Sequence, residues 1–385
     1  MDFLILDLRC SMTLANFLRF VGAAALAAAT SALPVHASTP ADGPDALDLH
    51  LRERPAGVLP VVAVVGDGEV VLSDFVVPYG VLAQSHAAKV VAVNVAEGPL
   101  RAGDVTVLPD MTAADFDRVY PQGADIVIVP ATVDKHDAEL AWLRAQRAHG
   151  AALVSICDGV TLLAEIGALD GRRATGHWAS RPGRLGHFPQ VTWLENTRYV
   201  ADGDVASSAG VSASLPISLA LVQHLAGAQA TADTAARLGV DGWSARHDSR
   251  VFHVTLADKR VHVFNMALKR NQVVALRVHD GDDEVALALH AEAWSRTMRN
   301  DVRIVAEGSG PVTLRGGLRV QPEAAAASKK PDIELTLAQQ APAGSALGSD
   351  LDAIARRYNT GTARLAALGM EYPWGDLAPA RHAAR

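Results

Sequence analysis

Residues 151–171 read AALVSICDGVTLLAEIGALDG, and this stretch decides the fold. The short apolar run before Cys157 predicts a buried strand, and the good helix formers after Gly159 predict a helix. Cys157 therefore lies in a tight turn beyond the carboxyl end of a strand, where open α/β sheets bind ligands. The helix would aim its first amide groups at the sulfur, favouring the thiolate and holding an oxyanion. The stretch predicts a nucleophile elbow.

Two neighbours of the cysteine bear on its chemistry. Asp158 follows it directly, and this carboxylate would oppose thiolate formation if it were ionised and pointed inward. Gly159 would allow another backbone segment to approach closely behind the turn. The alternative interpretation is that Cys157 is buried and inert, and packs as a small hydrophobic residue.

The sequence around the elbow alternates between strands and helices. Strands are predicted at 61–65, 89–96, 124–130 and 151–156, and helices at 70–85 and 138–149. Short, continuously apolar strands between helices are typical of a parallel sheet that is covered on both faces. We therefore predict an α/β fold for residues 56–232, a three-layer α/β/α flavodoxin-like domain built on a parallel sheet.

The composition excludes several classes of protein. The chain has 385 residues, 49% hydrophobic and 20% charged, which excludes an intrinsically disordered protein. Its 35 Lys and Arg against 42 Asp and Glu give a formal net charge of −7, which argues against broad nucleic-acid binding. Two cysteines are too few for a disulfide scaffold or an all-cysteine zinc site.

Residues 1–37 have the features of a secretory signal peptide. A basic region precedes an Ala-rich apolar run of about 14 residues, and VHA at 35–37 matches a small-x-small cleavage site. The run is shorter than the ~20 residues of a membrane-spanning helix, although an uncleaved membrane anchor is the alternative. We predict cleavage after Ala37, a linker over residues 38–55, no membrane association after cleavage, and a periplasmic or secreted mature protein.

Four stretches resemble the DJ-1/PfpI superfamily, which has a class I glutamine-amidotransferase-like fold. They are most similar to a subgroup that contains isocyanide hydratases and the sensor domains of AraC-type regulators. The stretches are VLSDFVVP (71–78), SICDG (155–159), LLAEIGALDGRRATGHW (162–178) and RYVADGDVASSAGVSASLPISLALV (198–222). Together they cover nearly the whole predicted domain.

The resemblance implies roles by position. Cys157 would be the nucleophile, Asp74 the general acid or base, and His177 a third catalytic candidate. The implied oxyanion-binding and pocket-lining residues are Ala131, Thr132, Asp158, Gly159, Ser208, Ala209 and Gly210.

Relatives commonly carry Gly-Gly where this chain has Ala131-Thr132, so the backbone approach there differs. Asp158 replaces a small polar residue, which argues against peptidase chemistry. Alternatively, Asp74 forms a hydrogen bond near the start of a helix, and His177 is a structural or pocket-wall residue.

We predict no metal site and no cofactor. The histidines of the second half follow neither an HExxH nor a CxxC ligand pattern; they are His247, His253, His262, His279 and His290. The run GDDE at 281–284 lacks the later ligands of a calcium loop and predicts a turn.

The carboxyl-terminal half repeats part of the first domain. The aligned pairs are 61–82 with 273–294, 98–110 with 310–323, and 124–130 with 331–337. We predict a connector at 233–269 and a partial, degenerate second copy at 270–385, without an elbow or a cysteine and with Ala288 or a neighbour in place of Asp74. Chance similarity between βαβ units is the alternative. Such a copy would make an intramolecular pseudo-dimer, and a homodimer is the other possibility.

Two functions remain open at this stage. One is hydration or hydrolysis of a small molecule at a cysteine-centred pocket, and the other is a non-enzymatic sensor or binding module for a small ligand or a redox signal. Residues 349–376 predict two short helices, fewer than an AraC-type DNA-binding region needs, and we expect no nucleic-acid partner.

Overall fold

The computed structural model describes residues 47–55, 57–133, 137–267, 272–325 and 330–377. The predicted signal peptide and its cleavage site lie outside these ranges. Within them the helices are α1 (Leu72–Ser85), α2 (Ala113–Val119), α3 (Asp137–Ala148), α4 (Val160–Glu165), α5 (Arg181–His187), α6 (Ser214–Leu238), α7 (Leu256–Ala267), α8 (Glu284–Ser295), α9 (Ala343–Arg357) and α10 (Thr360–Gly369).

The strands are mostly short. In the same ranges they are β1 (Val61–Gly66), β2 (Glu69–Val70), β3 (Lys89–Asn94), β4 (Leu100–Ala102), β5 (Val105–Leu108), β6 (Met111–Thr112), β7 (Ile126–Val129), β8 (Ala152–Ser155), β9 (Arg173–Ala174), β10 (Thr192–Trp193), β11 (Tyr199–Asp202), β12 (Val205–Ser208), β13 (Gln272–Arg277), β14 (Asn300–Ala306), β15 (Val312–Thr313), β16 (Arg319–Val320), β17 (Glu323–Ala324) and β18 (Ile333–Thr336).

A seven-stranded sheet carries the first half of the fold. Its order is β11-β12-β8-β7-β1-β3-β6, and every pairing is parallel except that of β11 with β12. Strands β1, β7 and β8 are buried along their whole length, which explains their continuous apolar sequences. Helices α2, α3 and α4 contribute to the core on one face, and α1 with α6 covers the other. The predicted three-layer α/β/α flavodoxin-like fold is confirmed.

A second sheet repeats the inner order of the first. It runs β17-β14-β13-β18 with all strands parallel, and β6-β3-β1-β7 has the same order and direction. The three aligned segment pairs of the sequence fall on corresponding strands. After β18 the chain continues into α9 without a further strand or elbow in the described residues. The second sheet therefore has the topology of a truncated copy.

Two equivalent hairpins join the halves. Strands β4 and β5 pair with each other, β15 and β16 do the same, and β5 pairs with β16 in antiparallel register through Val107 and Val320. The strand order β15-β16-β5-β4 therefore has the symmetry of a dimer interface, but it lies within one chain. All described residues belong to one compact unit.

Helices α1 and α8 also meet across this junction. A Cβ built on Gly80 would lie 2.6 Å from Cγ of Glu284 and 2.7 Å from Cγ2 of Val285, so the glycine lets the helices approach closely. At the other end of the contact, Glu292 Oε2 accepts hydrogen bonds from the amide and hydroxyl of Ser73 at 3.2 and 3.1 Å. Since Asp74 follows Ser73, the second half contacts the chain directly beside a predicted site residue.

Two predicted boundaries differ from the structure. Residues 47–55, the described part of the predicted linker, pack onto the first sheet: Leu47 and Leu49 are each only 2% exposed, and Arg52 and Arg54 pair with Asp125. The predicted end of the first domain at residue 232 falls inside α6. The composition of the segment alone indicated a linker. The buried leucines and the ion pairs with Asp125 instead fix residues 47–55 against the first sheet.

One helical stretch of the described residues, Val211–Leu238, has the length and hydropathy of a membrane span. Within the protein, 56% of its most apolar window is buried. Gly227 interrupts the helical backbone with a φ of +83°. The apolar sequence of this stretch therefore agrees with the position of α6, a core helix that packs beside α1.

Candidate functional site

The backbone at Cys157 has the strained geometry of an elbow. Its φ is +57°, a left-handed conformation that is rare for a residue with a side chain and clusters at functional sites. The Cys157 amide donates to the Ala209 carbonyl at 3.1 Å, which ties the turn to the end of β12. A Cβ on Gly159 would clash with the Val129 carbonyl and lie 2.7 Å from that of Pro130. The end of β7 thus approaches so closely that only glycine fits.

Asp74 lies in the first turn of α1 and is fully buried. Its Oδ2 accepts the Ala131 amide at 3.2 Å, and its Oδ1 has no hydrogen-bond partner in the described structure. Burial, reinforced by the nearby Glu292 carboxylate, raises the pKa of Asp74 well above its ordinary value. Burial therefore favours the protonated form of the carboxyl group. Because Oδ2 accepts the amide, we place the proton on Oδ1.

The thiol of Cys157 is also neutral. Burial, with Asp74 and then Asp158 adding to it, raises the pKa of the thiol well above its ordinary value, and Arg296 opposes this rise. The residue keeps 7% of its surface exposed. The sequence favoured a thiolate stabilised by a helix N-terminus, but α4 has only six residues and burial outweighs its dipole. The two groups form a pair of neutral acids.

His177 forms part of the same region as an uncharged ring. Its Nδ1 accepts the Ala179 amide at 3.3 Å, so the ring proton is on Nε2, which is buried and unpartnered among the described residues. Burial lowers the pKa of His177, and the Glu371 carboxylate only partly offsets this. A Cβ on Gly210 would lie 2.5 Å from Cδ2 of His177, so this glycine allows the ring to fit. His177 thus presents a buried N–H donor.

Asp158 does not carry an unpaired charge toward the sulfur. Its Oδ1 accepts a hydrogen bond from the Ser180 hydroxyl and pairs with Nη1 of Arg184 at 3.3 Å. Arg184 is itself buried and also donates to the His177 carbonyl at 2.8 Å. The carboxylate next to the elbow is therefore paired, but it still adds to the rise of the Cys157 pKa, as the sequence indicated.

Three amides of the predicted oxyanion-binding and pocket-lining residues have acceptors within the protein. Ala131 donates to Asp74, Gly159 to the Ile156 carbonyl at 3.0 Å, and Gly210 to Glu371 at 2.7 Å. An oxyanion at these three positions would have to displace those bonds, and the oxyanion-binding role stays a prediction.

Two hydroxyl groups of the predicted pocket residues donate to acceptors within the protein. Thr132 donates to Glu139 at 3.3 Å, toward α3, and Ser208 donates to the Ala209 carbonyl at 3.2 Å. Ala209 contributes its carbonyl oxygen rather than a donor. Their roles as pocket residues remain predictions.

Sequence reasoning did not single out Glu371, which follows α10. Its Oε2 accepts the amides of Gly210 at 2.7 Å and Trp178 at 3.2 Å, and its Oε1 contacts Nε2 of His247 at 2.8 Å. Burial would raise the pKa of Glu371, but the hydrogen bond with His247 and the neighbouring imidazoles lower it. Glu371 is therefore an anion, and its hydrogen bonds with Gly210 and Trp178 hold the two backbone segments next to His177. The contact joins positions more than a hundred residues apart, so no local motif could have revealed it.

Arg296, at the end of α8, brings a positive charge from the second half. Its Nε donates to Glu292 Oε1 at 2.7 Å, and Glu292 in turn holds Ser73. The charge of Arg296 lowers the pKa of both Asp74 and Cys157. Its side chain is 23% exposed. The second half is thus electrostatically part of the site, although it has no elbow of its own.

Within the described ranges no group of three or more His, Cys, Asp or Glu side chains is placed to hold a metal ion. Of the five histidines considered above, His247 binds Glu371 and His290 binds Asp350 at 2.6 Å. These two are therefore structural or positioning residues in pairs with carboxylates.

Comparisons with known proteins find a family that matches part of this chain. Residues 61–224 match the DJ-1/PfpI family. An 88-residue segment is 38% identical to the HTH-type transcriptional regulator CdhR of Pseudomonas aeruginosa, covering 23% of this chain and 26% of the regulator. A 110-residue segment is 31% identical to the isonitrile hydratase of Pseudomonas putida, covering 27% of this chain and 46% of the hydratase. The chain thus spans less than half the length of either relative.

A solved structure extends the comparison. The crystal structure of Drosophila melanogaster DJ-1beta is 21% identical, matches 48% of this chain and all of its own, and superposes with a TM-score of 0.43. The family match covers the elbow, the helix that carries Asp74 and the segment that carries His177. Residues 61–224 are therefore the part of this chain that is similar to the DJ-1/PfpI family.

Proposed function

We propose that the protein hydrates a small, uncharged, electrophilic molecule, in the manner of an isonitrile hydratase. The observation that carries this proposal is a buried cysteine in a left-handed backbone conformation, near a buried carboxyl group whose pKa is raised. The match to the isonitrile hydratase supports it. A neutral substrate suits the site, because an ion would lose its hydration on reaching the buried side chains of Cys157 and Asp74.

The residues supply both a proton and a nucleophile. For an isonitrile R–NC, Asp74 Oδ1–H protonates the terminal carbon while the Cys157 sulfur bonds to it, and the thiol proton returns to the carboxylate. The product is a thioimidate, R–N=CH–S–Cys. Water then adds to its carbon, the C–S bond breaks, and the formamide R–NH–CHO leaves as the thiol is restored. His177 offers Nε2–H to the developing negative charge.

The test is direct. Purified protein incubated with cyclohexyl isocyanide is expected to form N-cyclohexylformamide, followed by NMR. Cys157→Ala should abolish the reaction, and Asp74→Asn should slow it by about 10²–10⁴-fold, the usual contribution of a general acid. Asp170→Asn, the same change at an exposed site, should leave the rate unchanged. Equal formamide yields from the wild type and Cys157→Ala would overturn the proposal.

A non-enzymatic sensor is the second candidate. The match to a transcriptional regulator and the already occupied amide donors favour it. A sensor would bind the isocyanide or react once with it, without turnover. A single equivalent of thioimidate by mass spectrometry, with no accumulation of formamide, would select this function.

The location is part of the proposal. The signal-like residues 1–37 support export to the periplasm or the medium, with the mature chain starting at Ser38. Cell fractionation followed by amino-terminal sequencing checks it. Recovery in the cytoplasm with residues 1–37 retained would contradict export.

A further inference from the structure

A cavity of about 190 Å³ lies between the two halves, separate from the cysteine. Its walls come from α6 through Leu219, from α8 through Leu289 and from α9 through Leu347. The body of the cavity is mostly aliphatic. It is somewhat larger than the roughly 150 Å³ cavity that holds benzene in a designed protein core, so an aromatic ring with one substituent fits its volume.

Two lining residues of the cavity carry N–H donors, Arg198 and Trp243. The indole N–H of Trp243 is buried and has no hydrogen-bond partner in the described part of the chain. The two serine hydroxyls are already donors, Ser212 to the Glu371 carbonyl at 2.6 Å and Ser214 to that of Val211 at 2.7 Å. Among the described lining residues none is acidic, so the wall has one positive charge and no negative charge.

We propose that this cavity is a second ligand site, which binds a small monocarboxylate with an apolar body. The carboxylate would pair with Arg198 and accept the Trp243 N–H, and the body would lie among Leu219, Leu289 and Leu347. A guanidinium has five N–H donors, so Arg198 can keep its protein contacts and still bind the ligand. Gly242, exposed at the lining, places part of the cavity wall at the surface.

The site is distinct from the thiol but adjacent to it. Ser212 and Tyr372 line the cavity. Glu371 precedes Tyr372 in the chain, and its backbone carbonyl accepts the Ser212 hydroxyl, but its side chain lies on the His177 side. On another path, the Arg198 carbonyl accepts the Ala209 amide, and the Ala209 carbonyl accepts the Cys157 amide. A ligand that contacts Arg198 in the cavity would therefore be linked to the elbow through two backbone hydrogen bonds without occupying it.

Benzoate and benzyl alcohol form a matched pair of probes, since they share the ring and differ in charge. Calorimetric titration of the full protein is expected to show benzoate binding at least about tenfold more tightly than benzyl alcohol, because a charge-assisted hydrogen bond contributes that much. Equal affinity for the two probes, or no benzoate binding at millimolar concentration, would overturn the assignment without any mutation.

Variants locate the bound probe. Arg198→Gln should weaken benzoate binding at least about tenfold, Arg198→Lys should weaken it less, and the exposed Arg118→Gln should not change it. Cys157→Ala should bind benzoate like the wild type, which separates this site from the proposed hydratase site. Loss of binding in Cys157→Ala, or unchanged binding in a folded Arg198→Gln protein, would show that benzoate binds elsewhere.

Discussion

The chemistry of the site at the residue scale depends on two acids that hold their protons. Burial raises the pKa of both Asp74 and Cys157; Glu292 adds to the rise at Asp74, Asp74 adds to the rise at Cys157, and the positive charge of Arg296 opposes both. An isolated thiolate would react indiscriminately, whereas a neutral thiol beside a neutral carboxyl group needs a substrate that takes a proton as it accepts sulfur. The charge balance therefore selects the reaction type as much as the cysteine does.

Removing the charge of Arg296 should make the thiol less acidic. In Arg296→Gln the thiolate loses its positive neighbour, so the midpoint of iodoacetamide alkylation against pH moves up from an already high wild-type value. Alkylation at neutral pH should slow by up to about tenfold. The exposed Arg118→Gln is the control. A midpoint that stays or falls in Arg296→Gln would contradict this electrostatic role.

The glycine behind the elbow should not tolerate a methyl group. Gly159→Ala puts a Cβ against the carbonyls of Val129 and Pro130, and backbone atoms of a buried strand end cannot move aside easily. We expect a loss of about 1–3 kcal/mol in the free energy of unfolding, measured with urea. Gly183→Ala is the matched control, because its Cβ meets nothing within 4 Å and alanine favours the helix. Equal stability of the two variants would show that the elbow relaxes.

At the scale of elements, buried polar pairs fasten the second half together. His290 on α8 contacts Asp350 on α9 through Nδ1 at 2.6 Å and the Ala341 carbonyl through Nε2 at 2.9 Å. Both ring nitrogens face acceptors, so the protonated ring satisfies both. Burial would lower the pKa of His290, but the hydrogen bond and charge of Asp350 outweigh it and raise the pKa.

This pair predicts a pH dependence of stability. Because the folded pKa of His290 lies above its unfolded value, its contribution is fully present below about pH 6.5 and is lost as pH rises through the folded pKa. The free energy of unfolding should therefore fall as the pH rises above about 6.5, and His290→Gln should flatten this slope. The exposed His187→Gln should keep it. An unchanged slope in His290→Gln would assign the dependence to another group.

The same elements show how far sequence reasoning reaches. The strand predicted at 61–65 is β1 and the helix at 138–149 is α3 shifted by one residue, because apolar runs and helical periodicity are local signals. The helix after the elbow ends at Glu165, earlier than its good helix formers indicated, since Gly167 turns the chain with a φ of +72°. The site residues Cys157, Asp74 and His177 were found through motifs, whereas Glu371 and Arg296 reach the site only through tertiary packing. Long-range contacts of this kind leave no pattern in one sequence.

At the scale of the whole molecule, the truncated copy occupies a surface that a second chain could otherwise cover. The pairing of β5 with β16 and the packing of α1 on α8 relate equivalent elements of the two halves. In the aligned segments, Gly80 of α1 corresponds to Glu292 of α8. The two helices therefore make different contacts at equivalent positions, and the halves are no longer interchangeable. The divergence freed the second half to supply Arg296 to the single remaining elbow.

This arrangement predicts that the protein is a monomer whose halves cannot separate. Light scattering after size exclusion should give the mass of one chain, because α8 already covers α1. Gly80→Leu drives a side chain into Glu284 and Val285, so it should displace α8, expose apolar surface and produce larger species. Gly183→Leu, on an open helix surface, should remain monomeric. A stable wild-type homodimer that Gly80→Leu leaves intact would mean that the first domain associates through another face, and that the second half does not replace a partner.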